Sequence, residues 1–360
     1  MTSKRDRFVD FFKGVVILWV IHIHTVYWSG RYYIPDIIRQ VSLTIMDVPI
    51  FFFISGYLTK PSNLSTSIQK SLRQFIRIYS QYIIISFLIY LIFLLISFVL
   101  HLNTNINLIS SIISTLQVNP SGLVWGNISV YRGSLWYLQN YLALLPFVAI
   151  SAYLLSFRKW QILTVLSPLV IYSLSVLLLR YYPKLPDIIL SLFFYLFIYL
   201  LGTIYKIKEQ NIRTKYLIAS LAISVALVCI VFYVDDYKLL IQKHKFPPTF
   251  SYLAYSLIQI HTFIILKRLW KYQGQGYVYT FFEWCGKNVF YIYLFQGAVC
   301  SLPFFFVKPA HAHIHTFILY WIVLLFNICG TLLVTYQYIN TESYFLSLLK
   351  PRQSENGKIK

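Results

Sequence analysis

Long apolar stretches alternate with short polar gaps along nearly the whole chain. Several of these stretches reach the roughly 20 residues that a helix needs to cross the hydrocarbon core of a bilayer. The pattern therefore predicts an all-α protein, a polytopic integral membrane helix bundle of about ten transmembrane helices. The predicted spans lie at about 9–28, 41–59, 78–100, 134–155, 161–179, 187–205, 216–234, 249–266, 280–306 and 316–337.

The N-terminal run, the ninth run and the C-terminus each add a prediction to this map. The first apolar run is too long for the apolar region of a signal peptide and lacks a cleavage site, so we interpret it as the first span. The ninth run contains Pro303, which predicts that this helix bends or ends early. Residues 1–345 are expected to form one transmembrane domain, and residues 346–360 a disordered cytoplasmic tail.

Composition supports a membrane bundle over a soluble protein. Of 360 residues, 58% are hydrophobic and 12% are charged, against about 25% charged residues in a soluble domain. The net charge of +20 does not indicate nucleic acid, because the lysines and arginines lie in the gaps between apolar runs rather than in one interleaved patch. Membrane lipids are the partners that this distribution predicts.

The distribution of basic residues also predicts the topology. With both termini in the cytoplasm, 20 lysines and arginines fall in cytoplasmic segments and 9 fall in outside segments. Basic residues concentrate on the cytoplasmic side of membrane proteins, so this bias supports ten spans with the N and C termini inside. Losing one span would reverse half of the loops and remove the bias.

Neither the cysteines nor the histidines form a pattern typical of a metal site. The four cysteines lie in apolar runs without C-x-x-C spacing, so we expect no disulfide framework. His311, His313 and His315 share one face only if their segment is extended, and no carboxylate or thiol lies nearby. We therefore expect no metal.

Polar residues of the first span are candidates for chemistry. Asp10 and Lys13 share a helix face, where they form either part of a site or an ion pair that anchors the helix. His24 lies 14 residues beyond Asp10, which is about 21 Å along the helix axis. An imidazole at that depth is costly and marks a candidate site, with a hydrogen-bonded structural role as the alternative. His22 lies about 200° round the helix from His24, so we do not expect both to face one cavity.

Asp47 in the second span is the candidate partner of His24. The two residues lie a few positions below the outer ends of adjacent antiparallel spans, and therefore at similar depth. A carboxylate bonded to one imidazole nitrogen fixes the tautomer and makes the other nitrogen a better base. The alternative is that Asp47 reaches the interface and binds water.

Arg73 and Arg77 share a helix face at the cytoplasmic entrance to the third span. Two guanidinium groups at a membrane entrance can bind phosphates in bidentate fashion. The alternative is that they anchor the helix to lipid headgroups.

Two predicted outside loops, 101–133 and 235–248, are longer than a connection needs. The first is rich in Asn and Ser, and the second carries Asp235, Asp236 and three lysines. Long loops are often functional, so both are candidates for contact with a polar partner. Plain connectors are the alternative.

Four short motifs follow one another along the chain. The first is Asp10-x-x-Lys13-Gly14 followed by His24, and the second is Pro49-Ile50-Phe51-Phe52-Phe53-Ile54-Ser55-Gly56-Tyr57-Leu58. The third is Leu135-Trp136-Tyr137-Leu138, and the fourth is Gly286-Lys287-Asn288 followed by Tyr293-Leu294. Together with the ten spans, they resemble the membrane-bound acyltransferase 3 family over about residues 5–340. Members of this family include bacterial surface-polysaccharide O-acetyltransferases.

This resemblance implies an activity and a set of site residues. It implies that His24 is catalytic and that Arg73, Arg77 and Lys13 help to bind an acyl-CoA donor. Acetyl-CoA is then a co-substrate, with no permanently bound cofactor, and the acceptor is a glycan or lipid-linked sugar. The implied location is the bacterial plasma membrane. The motif residues expected to have structural roles are Asp10, Gly14, Ser55, Gly56, Trp136, Gly286, Lys287 and Asn288.

Two positions depart from the family pattern. The family often has Arg-x-x-Arg before the third span, whereas this chain has Gln74 at the first place and Arg73 one residue earlier. Gln296 stands where many members have a histidine after the Tyr-Leu pair. No esterase-like domain, which some members append, is recognisable, so the transfer is expected to be completed by the membrane domain or by a partner.

The sequence leaves three functions open. The first is an O-acyltransferase, in which His24 is required. The second is a transporter or flippase for a glycan or lipid precursor, which predicts gradient-dependent transport; against it, the chain shows no paired broken helices in two matching halves. The third is a scaffold in a glycan-assembly complex, for which His24→Ala is silent.

Overall fold

The computed structural model describes residues 5–29, 34, 36–45, 48–99, 101, 108–118, 129–179, 187–234, 241–270 and 276–349. Within these ranges the chain is helical, and an isolated bridge between Lys245 and Pro248 is the β pairing present. The helices are α1 Arg7–His24, α2 Asp36–Ile45, α3 Pro49–Leu58, α4 Leu64–Val99, α5 Leu108–Leu116, α6 Ser129–Ser134, α7 Trp136–Leu154, α8 Gln161–Leu179, α9 Asp187–Lys208, α10 Thr214–Val234, α11 Phe250–Leu269, α12 Tyr277–Lys287, α13 Val289–Val299, α14 Val307–His311 and α15 Thr316–Leu349.

Seven helices of the described chain are long and apolar enough to cross a membrane, namely α1, α4, α7, α8, α9, α10 and α15. The bent pair α12–α13 makes an eighth candidate. The described part of the chain is thus all-helical, as predicted, and has seven candidate membrane-spanning helices. The number of ten spans and the cytoplasmic location of both termini stay predictions.

The second predicted span is not one continuous helix in the described residues. Helix α2 ends at Ile45, and α3 begins at Pro49. Proline is favourable at the first position of a helix, where its missing N–H would have no partner in any case. Helix α3 has only 10 residues, which is about 15 Å of helix.

The ninth predicted span ends early and also bends: α13 ends at Val299, ahead of Pro303 and of the predicted end at 306, whereas the bend lies nearer the start of the span. Helices α12 and α13 meet at 83°, and the break lies at Asn288, whose side-chain amide donates to the carbonyl oxygen of Trp284 at 2.9 Å. The same carbonyl accepts from the Asn288 backbone N–H at 3.1 Å, so the side chain adds a second hydrogen bond at the end of α12, a local bond of the kind that competes with helix continuation. Pro303 lies in the first turn of a 3-10 helix, Leu302–Phe305, where it interrupts nothing.

Glycines bring α1 and α12 into backbone contact. A Cβ added to Gly14 would lie 1.9 Å from the carbonyl oxygen of Phe282, and one added to Gly286 would lie 1.7 Å from that of Asp10. Small residues permit such close approach between membrane helices. The first and fourth sequence motifs therefore meet at one helix–helix contact.

A second glycine contact joins α3 to α9. A Cβ on Gly56 would lie 1.8 Å from the carbonyl oxygen of Tyr199, and one on Gly202 would lie 2.0 Å from that of Phe53. Helix α9 is central, since 67% of its apolar 18-residue stretch is buried. In α10 only 11% of the corresponding stretch is buried, so this helix presents its side chains outward. These contacts hold α1 against α12, and α3 against the central helix α9.

Candidate active site

A cavity of about 450 Å³ lies between α1, α3, α4, α7, α12 and α13. Of the described residues that line it, five are cations, and none is a carboxylate. The cations are Arg5, Lys13, Arg77, Lys245 and Lys287. This composition indicates anionic ligands.

Helix α1 gives the order of groups along the cavity. Lys13, Ile17, Val20 and His24 line it one after another, so Lys13 and His24 are about 17 Å apart along the helix axis. We call the region of Arg5, Lys13, Arg77 and Lys287 the basic end. The region of His24, Trp136 and Lys245 is called the histidine end.

Asp10 organises the basic end. Its carboxylate is buried, with 3% of the residue exposed. It accepts from Lys13 Nζ at 2.9 Å and from Arg5, whose Nη2 lies 3.1 Å from Oδ1. The ion pair between Asp10 and Lys13 that the sequence allows is therefore present. Asp10 holds two cations at the cavity as their shared counter-ion.

A second buried carboxylate supports Lys287. Glu283 accepts from Arg7 Nε at 2.7 Å, and its other oxygen lies 3.7 Å from Lys287 Nζ. Lys287 remains 46% exposed and lines the cavity. Asn288, at the bend between α12 and α13, lines the cavity next to it.

One face of α4 completes the basic end. Gln74, Arg77, Ile78 and Gln81 line the cavity, as expected for residues three and four positions apart on a helix. Arg73 lies one position, or about 100°, from Gln74; it is exposed and is not among the lining residues. The structure thus brings Arg77 and Lys13 to the same cavity, but not Arg73.

His24 is held by Gln296. Its Nδ1 lies 2.5 Å from Gln296 Oε1 on α13, which is fully buried. An amide oxygen can only accept, so Nδ1 donates the proton of this hydrogen bond. The backbone then passes into a π-helical turn, Thr25–Ser29, a feature often found at functional sites.

His22 has a different environment, as its position on the helix predicts. Its Nε2 lies 2.9 Å from Ser42 Oγ, and its Nδ1 lies 2.9 Å from the hydroxyl of Tyr320. Ser42 Oγ donates to the carbonyl oxygen of Ile38, so it accepts from His22. Both ring nitrogens are used by the protein, and His22 does not line the cavity.

Asp47, the candidate partner of His24, lies outside the described residues, and its role stays a prediction. At Nδ1, the structure gives His24 the partner Gln296. Sequence reasoning noted Gln296 only as a departure from a family pattern. The available signal was a glutamine inside an 11-residue apolar helix, α13, where an unsatisfied amide is costly.

Aromatic side chains form the wall between the two ends. Tyr137, Tyr141 and Tyr293 line the cavity, and the rings of Tyr137 and Tyr293 meet edge to face at 5.3 Å. Gln74 Nε2 donates to the hydroxyl of Tyr141 at 2.6 Å. Ser55 also lines the cavity, whereas the three motif glycines act in helix packing.

No group of three potential metal ligands occurs among the described residues. His311, His313 and His315 are exposed near the start of α15. The polar side chains of the cavity are cations, amides, hydroxyls and one imidazole. This set suits binding of phosphates and proton transfer at a single nitrogen.

Comparison with known families gives one match. A family model described as an acyltransferase domain matches residues 6–336, which is nearly the whole chain. The match covers all four motifs and every element that lines the cavity. No curated protein and no solved structure matches the chain.

Proposed function

The chain belongs to the acyltransferase 3 family, and from this we propose that it is a multi-pass O-acetyltransferase of the bacterial plasma membrane. It takes the acetyl group from acetyl-CoA on the cytoplasmic side and transfers it to a hydroxyl of a cell-surface or lipid-linked glycan. One observation carries the proposal: a single cavity joins four cations at one end to His24 at the other.

The basic end suits the phosphates of acetyl-CoA. Arg77 offers a planar guanidinium for bidentate phosphate binding, and Lys13, Arg5 and Lys287 add positive charge. Their carboxylate partners, Asp10 and Glu283, are buried and not among the lining residues. The long pantetheine arm would then run along the aromatic wall toward His24, over about 17 Å.

His24 suits the role of general base. Because Gln296 holds Nδ1–H, Nε2 accepts the proton of the acceptor hydroxyl. The oxygen attacks the thioester carbonyl, a C–O bond forms and the C–S bond breaks. The imidazolium then gives its proton to the departing thiolate, so that the products are the acetyl ester and CoA. A route through an acetyl-His24 intermediate uses the same nitrogen.

The test is the O-acetyl content of the surface glycans, measured by NMR in a deletion strain. The strain is complemented with wild type, with His24→Ala or with His313→Ala, a control at an exposed histidine outside the cavity. We expect acetylation with wild type and with the control, and none with His24→Ala.

Membrane levels of all three proteins are measured by immunoblot. Full acetylation by His24→Ala would contradict the catalytic role of His24. If deletion removes the glycan from the surface while the glycan that remains inside the cell still carries acetyl groups, the transporter alternative is favoured.

A further inference from the structure

One tyrosine hydroxyl in the cavity differs from the others. Among the described residues, the tyrosines that line the cavity are Tyr137, Tyr141, Tyr291 and Tyr293. The hydroxyl of Tyr293 donates to a backbone carbonyl oxygen, that of Tyr291 donates to a carboxylate, and that of Tyr141 accepts from an amide. The hydroxyl of Tyr137 makes no hydrogen bond within the part of the chain that the structure describes.

The surroundings of Tyr137 are aromatic. Its ring centroid lies 5.1 Å from that of Phe52, 5.3 Å from that of Tyr293 and 5.9 Å from that of Tyr141. A tyrosine hydroxyl that is removed from water normally finds a hydrogen-bond partner, and leaving it without one is costly. Since the protein supplies no partner among the described residues, this O–H is available to a ligand in the cavity.

Contacts with α13 place Tyr137 near the histidine end. Its ring meets that of Tyr293, which precedes Gln296 by three residues, or about one helix turn. Ser134, three residues before Tyr137, packs against the residue after Gln296, because a Cβ on Gly297 would lie 2.9 Å from Ser134 Oγ. Tyr137 therefore lies close to the level at which Gln296 holds the catalytic histidine.

The proposed reaction needs a hydrogen-bond donor at such a place. When the acceptor oxygen attacks the thioester, negative charge develops on the carbonyl oxygen. A donor that is fixed in a site with little water stabilises this oxyanion far more than it stabilises the uncharged carbonyl. Tyr137 offers one O–H donor between aromatic rings, in the same cavity as His24.

We propose that the Tyr137 hydroxyl is the oxyanion donor of the acetyl transfer. This inference rests on the proposed function and adds a catalytic residue to it. His24 takes the proton of the acceptor hydroxyl while the oxygen attacks the carbonyl carbon. An electron pair of the C=O bond moves to its oxygen, which accepts a hydrogen bond from Tyr137. When the pair returns, the C–S bond breaks and the imidazolium gives its proton to the thiolate, while Tyr137 keeps its own proton.

The test uses Tyr137→Phe, which removes only the hydroxyl. Membranes of the deletion strain, complemented with each variant, supply the native acceptor, and the initial rate of transfer from radiolabelled acetyl-CoA is divided by the membrane level of the protein. We expect kcat to fall about 100-fold, as for loss of one oxyanion donor. The KM for acetyl-CoA should stay near that of wild type, because the bond strengthens only in the transition state.

The matched control is Tyr153→Phe. Tyr153 also lies on α7 and is partly buried, with its ring centroid 5.1 Å from that of Phe157, but it does not line the cavity. This variant should transfer acetyl groups at the wild-type rate. Both variants should unfold at the wild-type temperature, because neither hydroxyl has a hydrogen-bond partner in the described chain.

A second donor identifies the atom that Tyr137 contacts. In dithioacetyl-CoA, sulfur replaces the carbonyl oxygen, and sulfur is a weak acceptor. The wild-type preference for acetyl-CoA over this analogue, taken as a ratio of kcat/KM values, should fall about tenfold in Tyr137→Phe, as for two groups in direct contact. The intrinsic reactivity of the two thioesters cancels in this comparison.

A rate of Tyr137→Phe within about twofold of wild type overturns the inference, since one oxyanion donor contributes far more. A loss of rate with an unchanged preference between the two thioesters also overturns it, because the hydroxyl then acts elsewhere. Absence of acetyl transfer by wild type contradicts the proposed function itself. Wild-type transfer that Tyr137→Phe matches contradicts the role of Tyr137 alone.

Discussion

Gln296 shows how one buried amide can set the chemistry of a histidine. Its Oε1 accepts from His24 Nδ1, while its Nε2 is buried without a hydrogen-bond partner among the described residues. An unsatisfied buried N–H destabilises a protein by about 1–3 kcal/mol. A residue kept at that cost is better explained by its effect on His24 than by stability.

We therefore expect Gln296→Leu to lower kcat about 100-fold, the low end of general-base contributions. The KM for acetyl-CoA should stay near that of wild type, because Gln296 does not belong to the basic end. Gln296→Glu keeps an oxygen acceptor for Nδ1–H and should recover most of the lost rate. Steady-state kinetics in nanodiscs measures both. Equal activity of the Leu and Glu variants would contradict a positioning role.

The sequence predicted some residues of the site and missed others for a definite reason. Helix periodicity places Asp10 beside Lys13 and separates His22 from His24, because both relations are local. The bond between His24 and Gln296 joins positions 272 residues apart, which no local pattern can indicate. Lys245 was likewise visible only as one lysine in a long loop.

Helix α4 shows why the register of a helix face decides function. Arg77 lines the cavity and Arg73 does not, although both are exposed arginines on one helix. We expect Arg77→Gln to raise the KM for acetyl-CoA about tenfold with little change in kcat. The reason is that a contact with the phosphates binds the donor equally in the ground state and in the transition state. Arg73→Gln, the matched control, should leave both constants near wild type. Comparable losses in the two variants would indicate general attraction of the donor to a basic surface.

The contact between α1 and α12 predicts a stability difference between two glycines. Gly286→Ala would place a methyl group 1.7 Å from the backbone oxygen of Asp10, so the helices must separate. We expect at least 1–3 kcal/mol of destabilisation, as for overpacking, seen as a lower midpoint of thermal unfolding in detergent.

The control for this prediction is Gly276→Ala at the start of α12. Its added methyl group would lie 3.8 Å from the nearest atom, which is ordinary van der Waals distance, so stability should be unchanged. If both variants unfold at the wild-type temperature, the close helix contact does not exist in solution.

The ninth predicted span is a case where the sequence indicated one break and missed another. A proline in an apolar run normally marks a bend or an end, and α13 does end at Val299, just ahead of Pro303. The bend between α12 and α13 lies at Asn288, whose side-chain amide and backbone N–H both donate to the carbonyl of Trp284. Asparagine has this capacity wherever it occurs, so its use depends on the neighbouring helices and not on the local pattern.

At the scale of the whole molecule, the helix ends show which elements run together. Lys267, near the end of α11, lies 2.5 Å from Asp6, which precedes α1. Tyr57, near the end of α3, donates to Glu209 just after α9 at 2.9 Å. The Nζ of Lys267 is 4.9 Å from the Tyr57 ring centroid. The ends of α3, α9 and α11 therefore lie with the beginning of α1 at one face of the bundle.

This alignment favours membrane crossings by α3 and α11, which are not among the seven candidate spans: α3 has only 10 residues, and α11 lacks a stretch as apolar as theirs. Helix α11 has 20 residues, enough to cover about 30 Å, and it ends at the same face as the long helix α9. The predicted ten spans place Lys60 in the cytoplasm and Ala312 outside. If α3 and α11 do not cross, the eight remaining spans place both residues on one side.

Labelling of single cysteines separates the two topologies. In a variant without Cys229, Cys285, Cys300 and Cys329 that retains activity, Lys60→Cys and Ala312→Cys are exposed loop positions. With a membrane-impermeant maleimide on intact spheroplasts, we expect labelling of Ala312→Cys only, and labelling of Lys60→Cys only after lysis. Labelling of both positions on intact spheroplasts would remove the crossings of α3 and α11. It would also place the cavity's basic end on a different side from the one that an acetyl-CoA donor requires.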